Sequence, residues 1–270
     1  MLILLKGVCR YMKELNPTTL PEALSLRRST AAQPVFGGSC VSLRPDGAGL
    51  FLSGCEEFRR IDTDGTHVHI GAGCSFAQLQ REPLCPDNLQ AAAKLCPPEL
   101  QDTAAIGGAL ADTRSAAVAA LFALDAQLLL ASETGRRSMS IRKFYRRQGL
   151  NLASDELICE ILVPHRSPKN WAVELRGEGM ERLSFAAVLR RKGGKLTALT
   201  AAFGGLDELV WRIPEFEEEM LGLDNRGASA LRGEFLAAYR RYLPALGPDG
   251  EERREQCLRW LEDFLDKNGI

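Results

Sequence analysis

Two pairs of adjacent glycines share one local pattern, in which an apolar residue precedes the pair and a small residue follows it. The first pair lies in residues 35–40 (VFGGSC) and the second in residues 105–110 (AIGGAL). Paired glycines accept positive φ and leave no side chain to obstruct a ligand. Such a concavity binds a pyrophosphate through backbone N–H groups rather than through charge. A tight turn is the simpler interpretation of either pair taken alone.

Cysteine and histidine are the other residue types that could hold a metal. The eight cysteines lie at positions 9, 40, 55, 74, 85, 96, 159 and 257, and no C-x₂-C pair occurs among them. This spacing argues against a zinc ribbon or an iron–sulfur motif and favours reduced thiols in a cytoplasmic protein. His67 and His69 would share one face of a strand, but no third ligand lies nearby. We therefore predict no metal site and expect the pair at a solvent-facing strand edge.

The composition is that of an ordinary globular protein. Of the 270 residues, 45% are apolar and 26% are charged, which argues against disorder. The 34 basic and 35 acidic side chains sum to −1, so the chain has no overall field that would hold nucleic acid or an anionic membrane. The length favours two domains with separate cores. Residues 1–11 form too short an apolar run to cross a membrane, and we expect them to be an extension before a domain that starts at Met12.

Hydrophobic spacing and turn signals predict an alternation of short strands and helices up to about residue 165. The predicted strands are residues 33–36, 50–52, 68–70, 126–130 and 156–163, and the predicted helices begin at residues 18, 75, 88 and 141. Residues 164–181 are polar and contain Pro168 and Gly177, so we predict a domain boundary there.

The remaining chain predicts a hairpin followed by helices. Gly193-Gly194 separates two apolar runs at residues 184–191 and 195–203, which is typical of a β-hairpin, and Gly204-Gly205 is expected only to close its second strand. The predicted helices are residues 214–221, 228–242 and 251–267. Trp260, Phe264 and Leu265 lie at helical spacing in the last of them and are expected to pack in a core.

Four segments, taken in order, resemble the FAD-binding subunits of the molybdenum hydroxylases, the family of xanthine and carbon monoxide dehydrogenases. Residues 34–40 (PVFGGSC) resemble the first flavin-binding loop, A-G-G-[ST]-x-L, and residues 97–111 resemble the block P-x-x-R-N-x-[AG]-T-I-G-G-N-L-A. Residues 121–126 (LFALDA) resemble L-x-A-L-D-A, and residues 155–164 (DELICEILVP) resemble D-E-L-I-x-E-I-x-[VI]-P. The order and spacing agree over about residues 12–165.

The resemblance implies an α+β fold of the PCMH type. It implies a FAD-binding domain over residues 12–165, with subdomains at about 12–60 and 61–165, and a smaller carboxy-terminal domain over 170–270 made of a short antiparallel sheet with helices. The first glycine run would lie on the pyrophosphate side of FAD, the second near the ribityl chain or the ring, and one loop leucine near the ring. The implied contacts are Phe36, Gly37, Gly38, Ser39, Cys40 and Val41, then Ile106, Gly107, Gly108 and Ala109, and finally Leu152.

The resemblance also implies a mechanism. In this family FAD accepts electrons one at a time from iron–sulfur clusters in a neighbouring subunit and then reduces NAD or another acceptor. The implied partners are a molybdopterin-binding large subunit and a small iron–sulfur subunit, and neither nucleic acid nor a membrane is expected. Electron transfer needs no acid, base or nucleophile, so we name no catalytic residue, and we expect no activity from the subunit alone.

Three departures from the family pattern bear on FAD binding. Gln101-Asp102 stands where the family has Arg-Asn, Ala109 replaces an Asn, and Val118 falls where a carboxylate helps to hold the flavin. Each lost polar bond would cost about 0.5–1.5 kcal/mol, or about three- to tenfold in affinity. Two functions therefore stay open. The chain is either an electron-transfer subunit that binds FAD or a scaffold subunit in which FAD binding is lost or weakened. A free-standing flavin oxidase is disfavoured because no catalytic base is evident.

Some further residues have two interpretations each. A local cationic cluster could dock a partner subunit or a phosphate-bearing acceptor, although a solvated surface is the simpler interpretation. Its members are Arg136, Arg137, Arg142, Lys143, Arg146 and Arg147. Cys40 could be a reactive thiol, but a small buried filler is favoured. For Tyr145 and Trp171, packing in a core or a domain interface is favoured over stacking on a ring.

Overall fold

A computed structural model describes residues 13–30, 32–36, 48–178 and 181–270. The glycines of the first pair and the neighbouring Ser39, Cys40 and Val41 lie outside the described residues, as does the extension expected at residues 1–11. Of the first glycine run, the predicted contact that the structure describes is therefore Phe36.

The amino-terminal strands form a small parallel sheet. The strands are β1 (Lys13–Leu15), β2 (Gln33–Val35) and β3 (Ala48–Phe51), in the order β1-β3-β2. Helix α1 (Leu20–Thr30) follows β1 and begins two residues after its predicted start. The carboxylate of Glu22 accepts a hydrogen bond from the Thr18 N–H at 2.9 Å, and Leu20 and Leu24 bury its apolar side.

A five-stranded antiparallel sheet, in the order β4-β5-β10-β6-β7, forms the centre of the next region. The strands in chain order are β4 (Ile61–Thr63), β5 (His67–Gly71), β6 (Gln127–Ser132), β7 (Gly135–Ser140), the ribbon strands β8 (Tyr145–Arg146) and β9 (Gly149–Leu150), and β10 (Leu157–Pro164). The helices are α2 (Phe76–Arg81), α3 (Asp87–Lys94), α4 (Ile106–Ala109), α5 (Ala116–Ala123) and α6 (Ile141–Phe144). Ser75 caps α2 with a complete capping box, as its position predicts.

Helix α5 is buried on every side, since all eight of its residues are buried. A helix that is apolar all round belongs in the interior, and its alanines let neighbouring backbones come close. One of those neighbours is a three-stranded antiparallel sheet of β11 (Asn170–Arg176), β12 (Leu183–Lys192) and β13 (Lys195–Gly204). The predicted hairpin is confirmed, and Gly193 and Gly194 turn it with φ of +58° and +78°.

Strand β12 belongs to two hydrophobic cores at once. Ala186 and Val188 join the core built around α5, whereas the alternate residues Phe185, Ala187 and Leu189 join a second core. Helices α7 (Pro214–Glu219), α8 (Asn225–Tyr242) and α9 (Gly250–Lys267) carry residues of the second core. Phe264 and Leu265 are buried there and Trp260 packs against it, as predicted.

The segment around this sheet contains a strand that the sequence did not predict. Within residues 164–181, where a domain boundary is predicted, residues 170–176 form β11, whose side chains are mostly half-buried. The pair Gly204-Gly205 does more than close a strand. A Cβ at Gly204 would overlap the carbonyl oxygen of Thr113, and a Cβ at Gly205 would overlap that of Arg182, so the glycines allow the hairpin end to pack against two other segments.

A network of ion pairs connects the end of helix α5 to the carboxy-terminal region, and its buried part is the pair Arg212–Glu217. Asp125, just beyond α5, adopts φ of +53° and pairs with Arg212. The Arg212 Nε donates to Glu217 at 2.7 Å, and the other oxygen of Glu217 accepts from the N–H of Ala201 at 2.8 Å. Burial raises the pKa of the Glu217 carboxyl, and Arg212 beside it acts in the opposite direction.

The substitution Arg212→Met should lower the free energy of unfolding by about 3–5 kcal/mol, because it leaves the Glu217 carboxylate buried without its cation. Chemical denaturation followed by circular dichroism measures this. Removal of the exposed pair Arg240 and Glu255 is the control and should change stability little. The double variant Arg212→Met, Glu217→Leu should regain stability over Arg212→Met, and an equal or larger loss would contradict the role given to the buried charge.

Candidate cofactor site

The second glycine run forms the short helix α4. Gly107 and Gly108 are not among the glycines with positive φ. The N–H groups of Ile106 and Gly107 donate to the carbonyls of Cys74 at 3.0 Å and Ala72 at 2.8 Å, so both are satisfied within the protein. A Cβ at Gly107 would lie 2.6 Å from the Ala72 oxygen, so close backbone approach explains this glycine.

Gly108 has a different environment from Gly107. It is half-buried, and a Cβ at this position would meet only the Phe36 carbonyl oxygen, at 3.7 Å, among the described residues. The Phe36 ring packs edge-on against Phe58 with the ring centroids 5.2 Å apart, which fixes the end of β2. The structure therefore brings the start of the first glycine run beside the open side of Gly108.

Two cavities lie near α4. One has a volume of about 690 Å³, and the other, of about 630 Å³, is lined by Ala109 at the end of the helix. Its apolar wall includes Leu95, Pro97, Leu100 and Leu175. Leu95 is 39% exposed, which is high for so large an apolar side chain. We call this space the α4 cavity.

The α4 cavity also carries charge. Asp112 and Arg182 both line it, with their closest charged atoms 3.6 Å apart, and Asp112 accepts from the Nε of Arg114 at 2.8 Å. Glu99 and Glu178 complete its charged lining. A mainly apolar space lined by a few charged groups is the usual arrangement of a cofactor site.

Sequence reasoning missed Leu95, Leu175 and Arg182, because nothing in their local pattern separates them from other surface residues.

Leu152, the predicted ring contact, is half-buried, packs against the first core and does not line the α4 cavity. Val118 is fully buried within α5. Tyr145 and Trp171 pack against the first core as expected, and the Tyr145 hydroxyl donates to the Leu110 carbonyl at 2.7 Å.

The histidine pair lies in the interior of the sheet rather than at a strand edge, because β5 has β4 and β10 as neighbours. The ring of His69 lies between two carboxylates, with Nδ1 at 2.9 Å from Glu160 and Nε2 at 3.3 Å from Asp64. These hydrogen bonds, that of Glu160 first, raise the pKa of His69. Backbone N–H groups of His67 and Thr66 lower the pKa of Asp64 to about 2.

The described cysteines lie mainly inside the protein. Burial raises the pKa of Cys74, Cys85 and Cys159 to about 12, so these thiols are poor nucleophiles at neutral pH. Within residues 13–30, 32–36, 48–178 and 181–270, no group of three histidine, cysteine or acidic side chains is placed to hold a metal. In the same residues, every helix is too short or too polar to span a bilayer.

Comparison with known proteins identifies the family of most of the chain. A family model described as the FAD binding domain in molybdopterin dehydrogenase matches residues 11–166, more than half of the chain. The chain is 26% identical over 167 residues to the nicotinate dehydrogenase FAD-subunit of Eubacterium barkeri. That match covers 54% of this chain and 56% of the relative, so it spans little more than half of the relative's length.

Solved structures share the fold over nearly the whole chain. A carbon monoxide dehydrogenase from Hydrogenophaga pseudoflava, which lacks the Mo-pyranopterin moiety of its molybdenum cofactor, matches with a TM-score of 0.83 and 21% identity, covering 95% of this chain and 96% of that one. Quinoline 2-oxidoreductase from Pseudomonas putida 86 matches with a TM-score of 0.79 and 17% identity, with 95% and 96% covered. At these identities the likeness shows the fold alone, and it confirms the predicted α+β, PCMH-type architecture.

Fold and family match together define a FAD-binding domain of the PCMH type. The chain belongs to the family of FAD-binding domains in molybdopterin dehydrogenases. The resemblance to FAD-binding subunits of the molybdenum hydroxylases, which the four ordered segments suggest, is thereby confirmed.

The two glycines of α4 should respond differently to alanine. Gly107→Ala should lower the free energy of unfolding by about 1–3 kcal/mol, because its Cβ would press on the Ala72 backbone. Gly108→Ala should change it by less than about 1 kcal/mol, since its Cβ would be in ordinary contact and alanine favours a helix. Urea denaturation of both variants measures the difference, and equal effects would contradict the close approach assigned to Gly107.

Stability should also depend on the protonation of His69. Because the pKa of His69 is raised on folding, its stabilisation is complete below the ordinary histidine pKa of 6.5 and is lost as the pH rises through the higher pKa of the folded protein. The substitution His69→Gln should flatten the stability profile in this window, as measured by thermal unfolding across the pH range. His165→Gln is the control, because His165 has no carboxylate partner among the described residues. An unchanged profile for His69→Gln would contradict the assignment.

Proposed function

We propose that this chain binds FAD and acts as the electron-transfer subunit of a molybdenum-hydroxylase-type oxidoreductase. The observation that carries the proposal is the proximity of Phe36, which opens the first glycine run, to the open side of Gly108. The α4 cavity begins next to this contact, at Ala109. Residues 12–165 would form the FAD-binding domain, with subdomains at about 12–60 and 61–165, and residues 170–270 the smaller domain.

The residues present fit a flavin dinucleotide. Gly108 leaves space that a side chain would fill, and Leu95 is an exposed apolar side chain that a bound ring would cover. By the family resemblance, the run from Phe36 to Val41 would hold the pyrophosphate through backbone N–H groups. Leu95 and Leu175 would exclude water from the ring, and Leu152 would support the core behind the site.

The chemistry of the site belongs to the cofactor. Bound FAD supplies the isoalloxazine that takes up electrons and releases them to an acceptor. The chain itself positions the dinucleotide, keeps water from the ring and sets the local charge through Asp112 and Arg182. None of these functions requires a proton to be held at a particular atom, so no catalytic residue is assigned.

The complex around this subunit is part of the proposal. Electrons would arrive from a small iron–sulfur subunit, themselves supplied by a molybdopterin-binding large subunit, and leave to NAD or another acceptor. The name of the Eubacterium barkeri relative, a FAD-subunit of a dehydrogenase, supports a multi-subunit assembly. The buried, reduced cysteines support a cytoplasmic location.

A scaffold subunit that has lost FAD is the second candidate function. Two observations favour it, since Ala109 lines the cavity without a polar group and Val118 is sealed inside α5. Under this alternative the fold would be kept for contacts with the partner subunits, and the α4 cavity would stay without a cofactor.

Reconstitution separates the two functions. Purified protein incubated with FAD and then gel-filtered should show about one flavin per chain in its absorbance spectrum.

The substitution Ala109→Asn should strengthen FAD binding by about three- to tenfold, measured by quenching of flavin fluorescence, because it adds a polar partner at the cavity wall. Ala104→Ser, at another wall position, is the matched control and should have a smaller effect. Failure to retain FAD even alongside the partner subunits would favour the scaffold.

A further inference from the structure

The bend at the end of β5, residues 71–74, connects the second glycine run to a segment that precedes the five-stranded sheet. The Ala72 carbonyl accepts a hydrogen bond from the Gly107 N–H at 2.8 Å. The next residue along the bend, Gly73, donates its own N–H to the Phe58 carbonyl at 2.7 Å. Two neighbouring peptide groups of one bend therefore hold α4 and the segment around Phe58 at a fixed separation.

Phe58 connects this bend to the first glycine run. Its side chain is buried, and its ring packs edge-on against the ring of Phe36 with the centroids 5.2 Å apart. Phe36 directly follows β2, and its carbonyl oxygen lies on the open side of Gly108. An edge-to-face contact between two aromatic rings has a defined geometry. The position of Phe58 thus determines where the chain leaves β2.

Gly73 leaves the space that this aromatic pair occupies. A Cβ at Gly73 would lie 3.0 Å from the Phe58 carbonyl oxygen, 3.1 Å from the Phe58 Cβ and 3.3 Å from Cδ1 of Phe36. Contacts this short would displace the two aromatic residues by a few tenths of an ångström. Gly73 is not among the glycines with positive φ, so the space it leaves, and not its backbone conformation, explains the residue.

We infer that Phe58 and Gly73 are positioning residues for the flavin, which act through Phe36 to set the distance between the two glycine runs. This inference rests on the proposed function, in which the first run holds the pyrophosphate and the second lies near the ribityl chain or the ring. A single dinucleotide that contacts both runs requires one particular separation between them. Errors above about 0.5 Å are enough to weaken such a site.

Packing alone is the competing explanation, because Phe58 also belongs to the first core. A side chain that only stabilises the fold would lower the melting temperature when it is truncated, but the protein that remains folded would bind FAD as before. A positioning residue instead changes the affinity of the folded protein. Its effect should also depend on the presence of Phe36.

Two pairs of matched variants of the full chain separate these explanations, with FAD affinity measured by quenching of flavin fluorescence below the melting temperature. Gly73→Ala should weaken FAD binding by about threefold or more. Gly54→Ala, whose Cβ would lie 3.0 Å from the Pro17 oxygen, is its control and should bind within about twofold of the wild type. Phe58→Leu should weaken binding by about three- to tenfold. Phe264→Leu, similarly buried in the second core, is its control and should leave the affinity unchanged.

A double-variant cycle tests the route through Phe36. Phe36→Leu should itself weaken FAD binding. The addition of Phe58→Leu should then weaken binding by at most about a further twofold, because the contact through which Phe58 acts is already lost. Losses that simply add would overturn the positioning role, as would control variants that lose as much affinity as their matched partners.

Hydrogen exchange in the free chain gives a readout that needs no cofactor. The amides of Val35 and Phe36 should exchange faster in Gly73→Ala and Phe58→Leu than in the wild type, because the end of β2 is less firmly held. Unchanged exchange at these amides, or unchanged FAD affinity in both variants, would overturn the inference while the proposed function stands. A wild-type chain that binds no FAD, even alongside the partner subunits, would overturn the proposed function and the positioning role with it.

Discussion

The hydrogen bond between the Gly107 N–H and the Ala72 carbonyl, 2.8 Å long, is the contact on which the candidate site depends. It requires a residue without a side chain, because a Cβ would lie 2.6 Å from the same oxygen. The bond holds α4 against the end of β5. Gly108 is thereby placed beside Phe36, and Ala109 at the cavity wall. Gly107 thus determines the position of the second glycine run, and the open side of Gly108 is available to a ligand.

The two cores are joined more closely than a two-domain description suggests. Strand β12 gives alternate side chains to each core, and α5 packs on the sheet that β12 occupies. The Arg212 network ties the end of α5 to the same region. Since Ser115 and Ala116, at the start of α5, line the α4 cavity, the carboxy-terminal region helps to position this cavity even though the family match ends at residue 166.

Sequence reasoning recovered most elements, because turn glycines, caps and apolar alternation are local signals. It missed β11, whose half-buried residues lie in a polar stretch and are paired only by tertiary contacts. It left open whether Gly107 serves a turn or a ligand, since a glycine needed for close approach cannot be told in sequence from one needed for a turn. Leu95, Arg182 and the Arg212 network depend on contacts between distant residues, and no local pattern indicates them. The flavin itself came from the family resemblance, and the contacts assigned to it remain predictions.

The complete burial of Val118 limits which side chains position 118 can accept. A carboxylate placed there would be surrounded by the apolar side chains of α5 and its neighbours, at a cost of several kcal/mol unless it found a partner. If position 118 carries an acid in relatives, as the family resemblance implies, a single Val118→Asp change in this chain would bury that carboxylate among apolar side chains. Neighbouring positions would have to change first. A substitution at the wall of the α4 cavity, where side chains such as Ala109 are small, could add a polar contact to a cofactor without burying a charge.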